Sequence, residues 1–226
     1  MQNELWASQN RMLIIFHAIT RKPTNKPETL ISKKRFYKIT VLAVAVILGT
    51  WSFNKAVFTN RYEVGQPIDS LNHVVVFYNG KVGNVNGRNV TKDGYNLGLK
   101  YQCVEFVKRY YYQHLHHKMP DSYGHAKDFF NKSLQDGQKN KRRNLIQYSN
   151  SSITKPKTDD LLVFDATLYN PYGHVAIISK VKENSVEIIQ QNPGPLGSSR
   201  ETFQLTHQNN KWQIQDSHAL GWLRKE

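Results

Sequence analysis

Tyr101-Gln102-Cys103-Val104-Glu105-Phe106-Val107-Lys108-Arg109 holds the only cysteine of this 226-residue chain. It stands where a loop with three glycines gives way to apolar residues at helical spacing, which predicts a helix over 101–117. A helix start presents unpaired N–H groups and partial positive charge, so it favours thiolate over thiol. A lone cysteine there is either a nucleophile or a small buried apolar residue, and the stretch by itself leaves both open.

A nucleophilic thiol needs a base within reach. Asn170-Pro171-Tyr172-Gly173-His174-Val175-Ala176-Ile177-Ile178-Ser179 leads a turn into a β-branched run, so His174 is expected to open a strand, with its ring held by rigid sheet beside a cleft. A histidine that merely caps a strand end is the other reading, and eight further histidines make coincidence easy. The short polar connection Lys182-Glu183-Asn184 then predicts a hairpin to Ser185-Val186-Glu187-Ile188-Ile189-Gln190-Gln191-Asn192. Alternation along that strand puts Gln190 on a face with Val186, Ile188 and Asn192, and Glu187 on the other. Gln190 is thus the candidate to accept the imidazole N–H and fix its tautomer, with Asn192 as its understudy.

Taken together, Gly98-Leu99-Lys100-Tyr101-Gln102-Cys103-Val104-Glu105-Phe106, Leu161-Leu162-Val163-Phe164-Asp165, Gly173-His174-Val175-Ala176-Ile177-Ile178, Gln191-Asn192 and Leu220-Gly221-Trp222-Leu223 resemble the CHAP domain (cysteine, histidine-dependent amidohydrolase/peptidase). Within that family the order and spacing are most similar to the amidase domains of glutathionylspermidine synthetase/amidases, over about residues 60–223. The resemblance implies an α+β, papain-like fold in which a helix bearing the cysteine packs on an antiparallel sheet. It implies Cys103 as nucleophile and His174 as general base, then acid. One departure matters: those amidases usually carry glutamate where this chain has Gln190. An amide orients an imidazolium without neutralising it, so the thiolate–imidazolium pair is less favoured. The backbone N–H of Cys103 is the natural oxyanion donor, with the Gln102 side chain a weaker candidate.

Ahead of these motifs, the uncharged run from Ile39 to Phe53, extended past Lys55 to Phe58, reads as a transmembrane signal anchor over 39–58. A signal-peptide core is the alternative. Residues 1–38 form a basic tail with eight Lys/Arg against two Glu, which places that tail in the cytoplasm and residues 59–226, the CHAP amidase/peptidase domain, outside an inner membrane. The earlier 12–16 run is too short to span.

Residues 39–226 carry twenty-three basic against fifteen acidic side chains, so anionic surroundings are favoured. No nucleic-acid-binding signature accompanies the charge, and 139–143 reads as a solvated loop run; nucleic acid is not expected as a partner. A single cysteine excludes an intrachain disulfide. His114, His116 and His117 lack a carboxylate or thiol to complete a metal site, so no metal and no cofactor is expected and the cluster reads as a solvated helix end. A second helix is expected at 125–134 and a structureless loop at 135–158. The function expected is hydrolysis of amide bonds in peptidoglycan-like envelope peptides through a thioester. Glutathionylspermidine-type amides and a catalytically impaired envelope-binding module are the alternatives. The sequence leaves the oligomeric state open.

Overall fold

The computed structural model describes residues 33–58, 62–194 and 197–226, with backbone alone at 33 and 52–58. The chain divides into two units, Met1–Asn54 and Lys55–Glu226. Helix α1, Lys33–Phe58, is continuous over 26 residues, and the Thr40 and Thr50 hydroxyls fold back onto the carbonyls of Phe36 and Ile47. Its described apolar side chains, among them Ile39, Leu42, Val46 and Ile47, are exposed.

Among the described residues no helix is long and apolar enough to cross a membrane, so the transmembrane anchor expected at 39–58 is not found. Lys34, Arg35 and Lys38 occupy the first turns of α1. The uncharged run that follows, roughly 15 residues to Phe53, gives about 23 Å of helix against a hydrocarbon core of about 30 Å. The tail up to residue 32, including 12–16, lies outside the described residues.

The second unit is α+β. Strands β1 (Pro67–Leu71) and β2 (Val74–Phe77) form one antiparallel pair, and β3 (Arg88–Val90) and β4 (Asn96–Leu99) another. Helix α2, Cys103–Gln113, follows. Then come β5 (Gln138–Asn140), β6 (Leu145–Ser149), β7 (Leu161–Phe164), β8 (His174–Val181), β9 (Ser185–Ile189), β10 (Arg200–Gln208), β11 (Lys211–Ile214) and β12 (Ala219–Arg224). These last eight make one sheet in the order β11-β10-β9-β8-β7-β12-β6-β5, every neighbour antiparallel.

Both faces of the sheet centre are covered, which is why Leu161–Phe164 and the start of β8 read as unbroken apolar runs. Val163, Val175, Ile177 and Ile189 join Phe106, Val107, Tyr110 and Tyr111 of α2 in one core. Leu162, Ala176, Ile178, Val186, Ile188 and Trp222 build a second core on the other face. Trp222 is fully buried there, its ring stacked on Tyr148. Trp222→Ala is expected to cost about 3–5 kcal/mol in urea unfolding, and a loss under about 1 kcal/mol would contradict a packed second face.

Two expectations are corrected here. The 125–134 helix shrinks to a single 3-10 turn, Ala126–Phe129, which ends where Phe130 takes up extended backbone; the buried Arg143 guanidinium donates to the carbonyls of Asp121, Tyr123 and Asp128 around it. The 135–158 loop contains β5 and β6, which pair with each other, β6 also pairing with β12. Arg143, expected in a solvated run, is wholly buried over the Phe129 ring.

Candidate active site

Cys103 is the first residue of α2. The chain reaches it through Tyr101, held at φ 66 in the left-handed region, and a turn in which the Gln102 N–H donates to the Leu99 carbonyl. Backbone strain of this kind persists only where the surroundings fix it. Gly98 explains how β4 comes so close: a Cβ there would lie 3.3 Å from the Glu105 backbone. Helix α2 packs on β2, β4 and β8, which sets the half-buried Cys103 beside the start of β8.

His174 opens β8, as the sequence predicts. Gly173 makes the entry turn at φ 73, where a Cβ would lie 2.6 Å from the Phe164 carbonyl. Strand β9 pairs with β8 only from Ile177 onward, so the first residues of β8 have a strand neighbour on the β7 side alone. The backbone N–H of Val175, one residue from His174, favours the charged form of the Cys103 sulfur. Sulfur and imidazole share no hydrogen bond among the described residues, so the two come together in sequence-predicted neighbourhood without yet touching.

Gln190 meets His174 as expected: its Oε1 accepts from the imidazole Nε2 at 2.9 Å. The amide cannot be turned round without loss, because its Nε2 donates to the Ser198 carbonyl at 3.0 Å and to Glu201 at 3.3 Å. With Nε2 carrying the proton toward Gln190, Nδ1 is left as the basic nitrogen. Glu201 was not legible as part of this chain of contacts. It puts a carboxylate one step behind the amide.

Asn192 does not serve as understudy. Its amide donates to the Val82 carbonyl and to Gln102 Oε1, tying the loop after β2 to the start of α2. The Gln102 amide is spent likewise on the Val82 and Asn84 carbonyls, so that side chain is a loop contact. Glu187 is bound by Ser179 and Arg200, away from the imidazole. The histidine cluster is also reassigned: His117 is buried and bonded to the Arg143 carbonyl, while His114 meets Asn72.

Beneath the site lies a polar group that sequence reasoning missed. Glu105 and Arg109 form a buried ion pair at 2.6 Å, and Asn89 and Gln191 both bond the Glu105 carboxylate. A helical i, i+4 Glu/Arg pair was the one available signal, but such pairs are usually solvated.

Electrostatics favour a neutral resting pair. Burial pushes the Cys103 thiol up to about 11, opposed only in part by the N–H groups of Val175, Val104 and Cys103. Burial likewise lowers His174 from 6.5 to about 4, partly offset by Gln190. At neutral pH the site therefore holds thiol and neutral imidazole. His174 protonates only on acidification, so the acid limb of kcat/KM is expected near pH 4. Exchanging the two partners in Gln190→Glu/Glu201→Gln places the carboxylate on the imidazole and should move that limb up by about 1–3 pH units. An unmoved limb in the pH–rate profile would show that His174 does not control it.

The CHAP domain family model matches residues 91–192, a span that holds Cys103, His174 and Gln190. Trypanothione synthetase of Crithidia fasciculata is 27% identical over 161 residues, covering 67% of this chain and 25% of the relative. Bifunctional glutathionylspermidine synthetase/amidase of Escherichia coli is 30% identical over 139 residues, covering 56% and 22%. The chain thus spans about a quarter of the length of these relatives. Among solved structures, a wild type endolysin, LysIME-EF1, aligns at 19% identity with a TM-score of 0.35, over 63% of this chain and 60% of that one. Residues 91–192 of this chain thus match the CHAP domain family model.

Proposed function

We propose that residues 59–226 form a cysteine amidase/peptidase that hydrolyses amide bonds in peptidoglycan-like peptides. The observation that carries this is Cys103 at the head of α2, a helix packed on β8, the strand opened by a His174 whose Nε2 is held by Gln190. In the reaction, sulfur adds to the carbonyl carbon as the thiol proton passes to His174 Nδ1. The C–N bond breaks, His174 protonates the departing amine, and a water deprotonated by His174 cleaves the thioester. Both tetrahedral species place negative oxygen at the helix start, where the Cys103 N–H has no partner within the helix.

Glutathionylspermidine-type amides are the second reading, favoured by the names of the curated relatives. The substituted orienter and the neutral resting pair favour a third, an impaired envelope-binding module. Mass spectrometry of products from muropeptides and from glutathionylspermidine, offered separately to the full chain, separates the three. Cleavage of muropeptides supports the first reading; cleavage of the polyamine conjugate alone supports the second, and binding without cleavage the third.

For location, the reading is attachment to the surface of a cell membrane through the exposed apolar side chains of α1. Exposed Ile39, Leu42, Val46 and Ile47 motivate it. Separation of membrane and soluble fractions tests it, and recovery in the soluble fraction would contradict it.

A further inference from the structure

Gln191 is entirely buried just past β9 and uses every polar position of its amide. Its Oε1 accepts the Phe77 N–H at 2.8 Å and lies 3.5 Å from Arg109 Nη2. Its Nε2 donates to Glu105 Oε2 at 2.9 Å and to the main-chain carbonyl of Gln102 at 3.0 Å. The last contact is the informative one. The Gln102 carbonyl and the Cys103 N–H belong to one planar trans peptide unit, so they point in opposite directions. Whatever holds the carbonyl aims the N–H.

Side-chain bonds from Gln102 to the loop at Val82 and Asn84 leave that plane free to swing about the bonds on either side. Only contacts to the carbonyl resist the swing: the Phe106 N–H at 3.2 Å, which is the first hydrogen bond of α2, and Gln191. The N-cap backbone at φ −89, ψ 159 has no side-chain cap to help. We propose that Gln191 is a positioning residue that fixes the oxyanion donor of the site, holding the Cys103 N–H in line from the far side of its own peptide plane. The neighbouring Gln190 holds the His174 ring. Consecutive residues at a strand end point to opposite sides, so one dipeptide sets both the base and the oxyanion donor.

This inference rests on reading Cys103 as the nucleophile, and its test is built to fail separately from the choice of substrate. Two thiol reagents are compared on the full chain. Iodoacetamide alkylates sulfur by displacing iodide, with no tetrahedral carbon and no oxyanion. In p-nitrophenyl acetate the S–C bond forms through an oxyanion, nitrophenolate leaves with the C–O electron pair, and the thiol proton passes to His174. In Gln191→Met, acylation should fall about 10- to 100-fold while alkylation stays within about threefold of wild type. Gln191→Asn keeps a polar amide in the buried site but withdraws it by one methylene, so it should show the same selective loss if the Met variant does not fold. Equal falls in both reactions, or no fall in either, overturn the proposal. A wild type that reacts with both reagents yet cleaves no muropeptide refutes the substrate reading alone, and a Cys103 inert to both reagents refutes the nucleophile and this inference together.

Discussion

Cys103→Ala is expected to lower kcat/KM for amide cleavage by at least about 10⁴-fold, leaving the protein folded. The sulfur is the only nucleophile the geometry offers at the start of α2, and no second cysteine exists to replace it. Alanine keeps the helix start, since alanine is the best helix former and the Gln102 carbonyl bonds are main-chain or from Gln191. Loss of function without loss of structure is therefore the predicted combination. Product mass spectrometry and a thermal melt, run side by side, read the two halves. Full activity in the alanine protein would remove Cys103 from the mechanism.

His174→Ala is the second large effect, about 10³- to 10⁴-fold in kcat, with a distinctive dependence on pH. In the wild type the neutral imidazole is present from about pH 4 upward, so the rate should be flat across the neutral range. Without it the thiol must lose its proton to hydroxide. With the thiol near 11, the residual rate should then climb about tenfold per pH unit between roughly pH 6 and 9. The sign follows from which form reacts: thiolate increases with pH, and imidazole no longer supplies it at neutral pH. A residual rate that is flat in pH would mean another base serves Cys103.

How much of this was legible in the sequence depended on whether the signal was local. The glycine-rich loop before Cys103 and the turn before His174 are punctuation that a single stretch contains, and both elements start where that punctuation places them. The His174–Gln190 contact was legible too, because a short hairpin and strict alternation leave little freedom of register. Strands β5 and β6 were hidden. They lie at the far end of the sheet, where Gln138 and Lys139 are exposed and the inward positions Asn140 and Gln147 are polar, so Gln138–Asn140 and Leu145–Ser149 lack the apolar alternation that marks a strand. Arg143 shows the same limit from the other side, since a cation in a basic run gives no hint that main-chain carbonyls of a distant loop will bury it.

The support under the site was hidden for a different reason. Gln191 bonds Glu105 and Phe77 across separations of 86 and 114 residues, and nothing near either residue announces the other. Glu201 reaches Gln190 only because β10 lies beside β9. A glutamine where the resembled amidases carry glutamate reads as a weakened third member. The structure gives it a fixed orientation and a carboxylate behind it, which accounts for a tautomer held without a charge on the imidazole.

Thioester formation at Cys103 is the centre of this account. It is tested most directly by mixing the full chain with muropeptides, quenching in acid during the first turnovers, and measuring the intact protein by mass spectrometry. The prediction is an added mass equal to the acyl half of a cleaved peptide, mapped to Cys103 and lost in Cys103→Ala. Product formed with no adduct on the protein, or an adduct on any other residue, would contradict it.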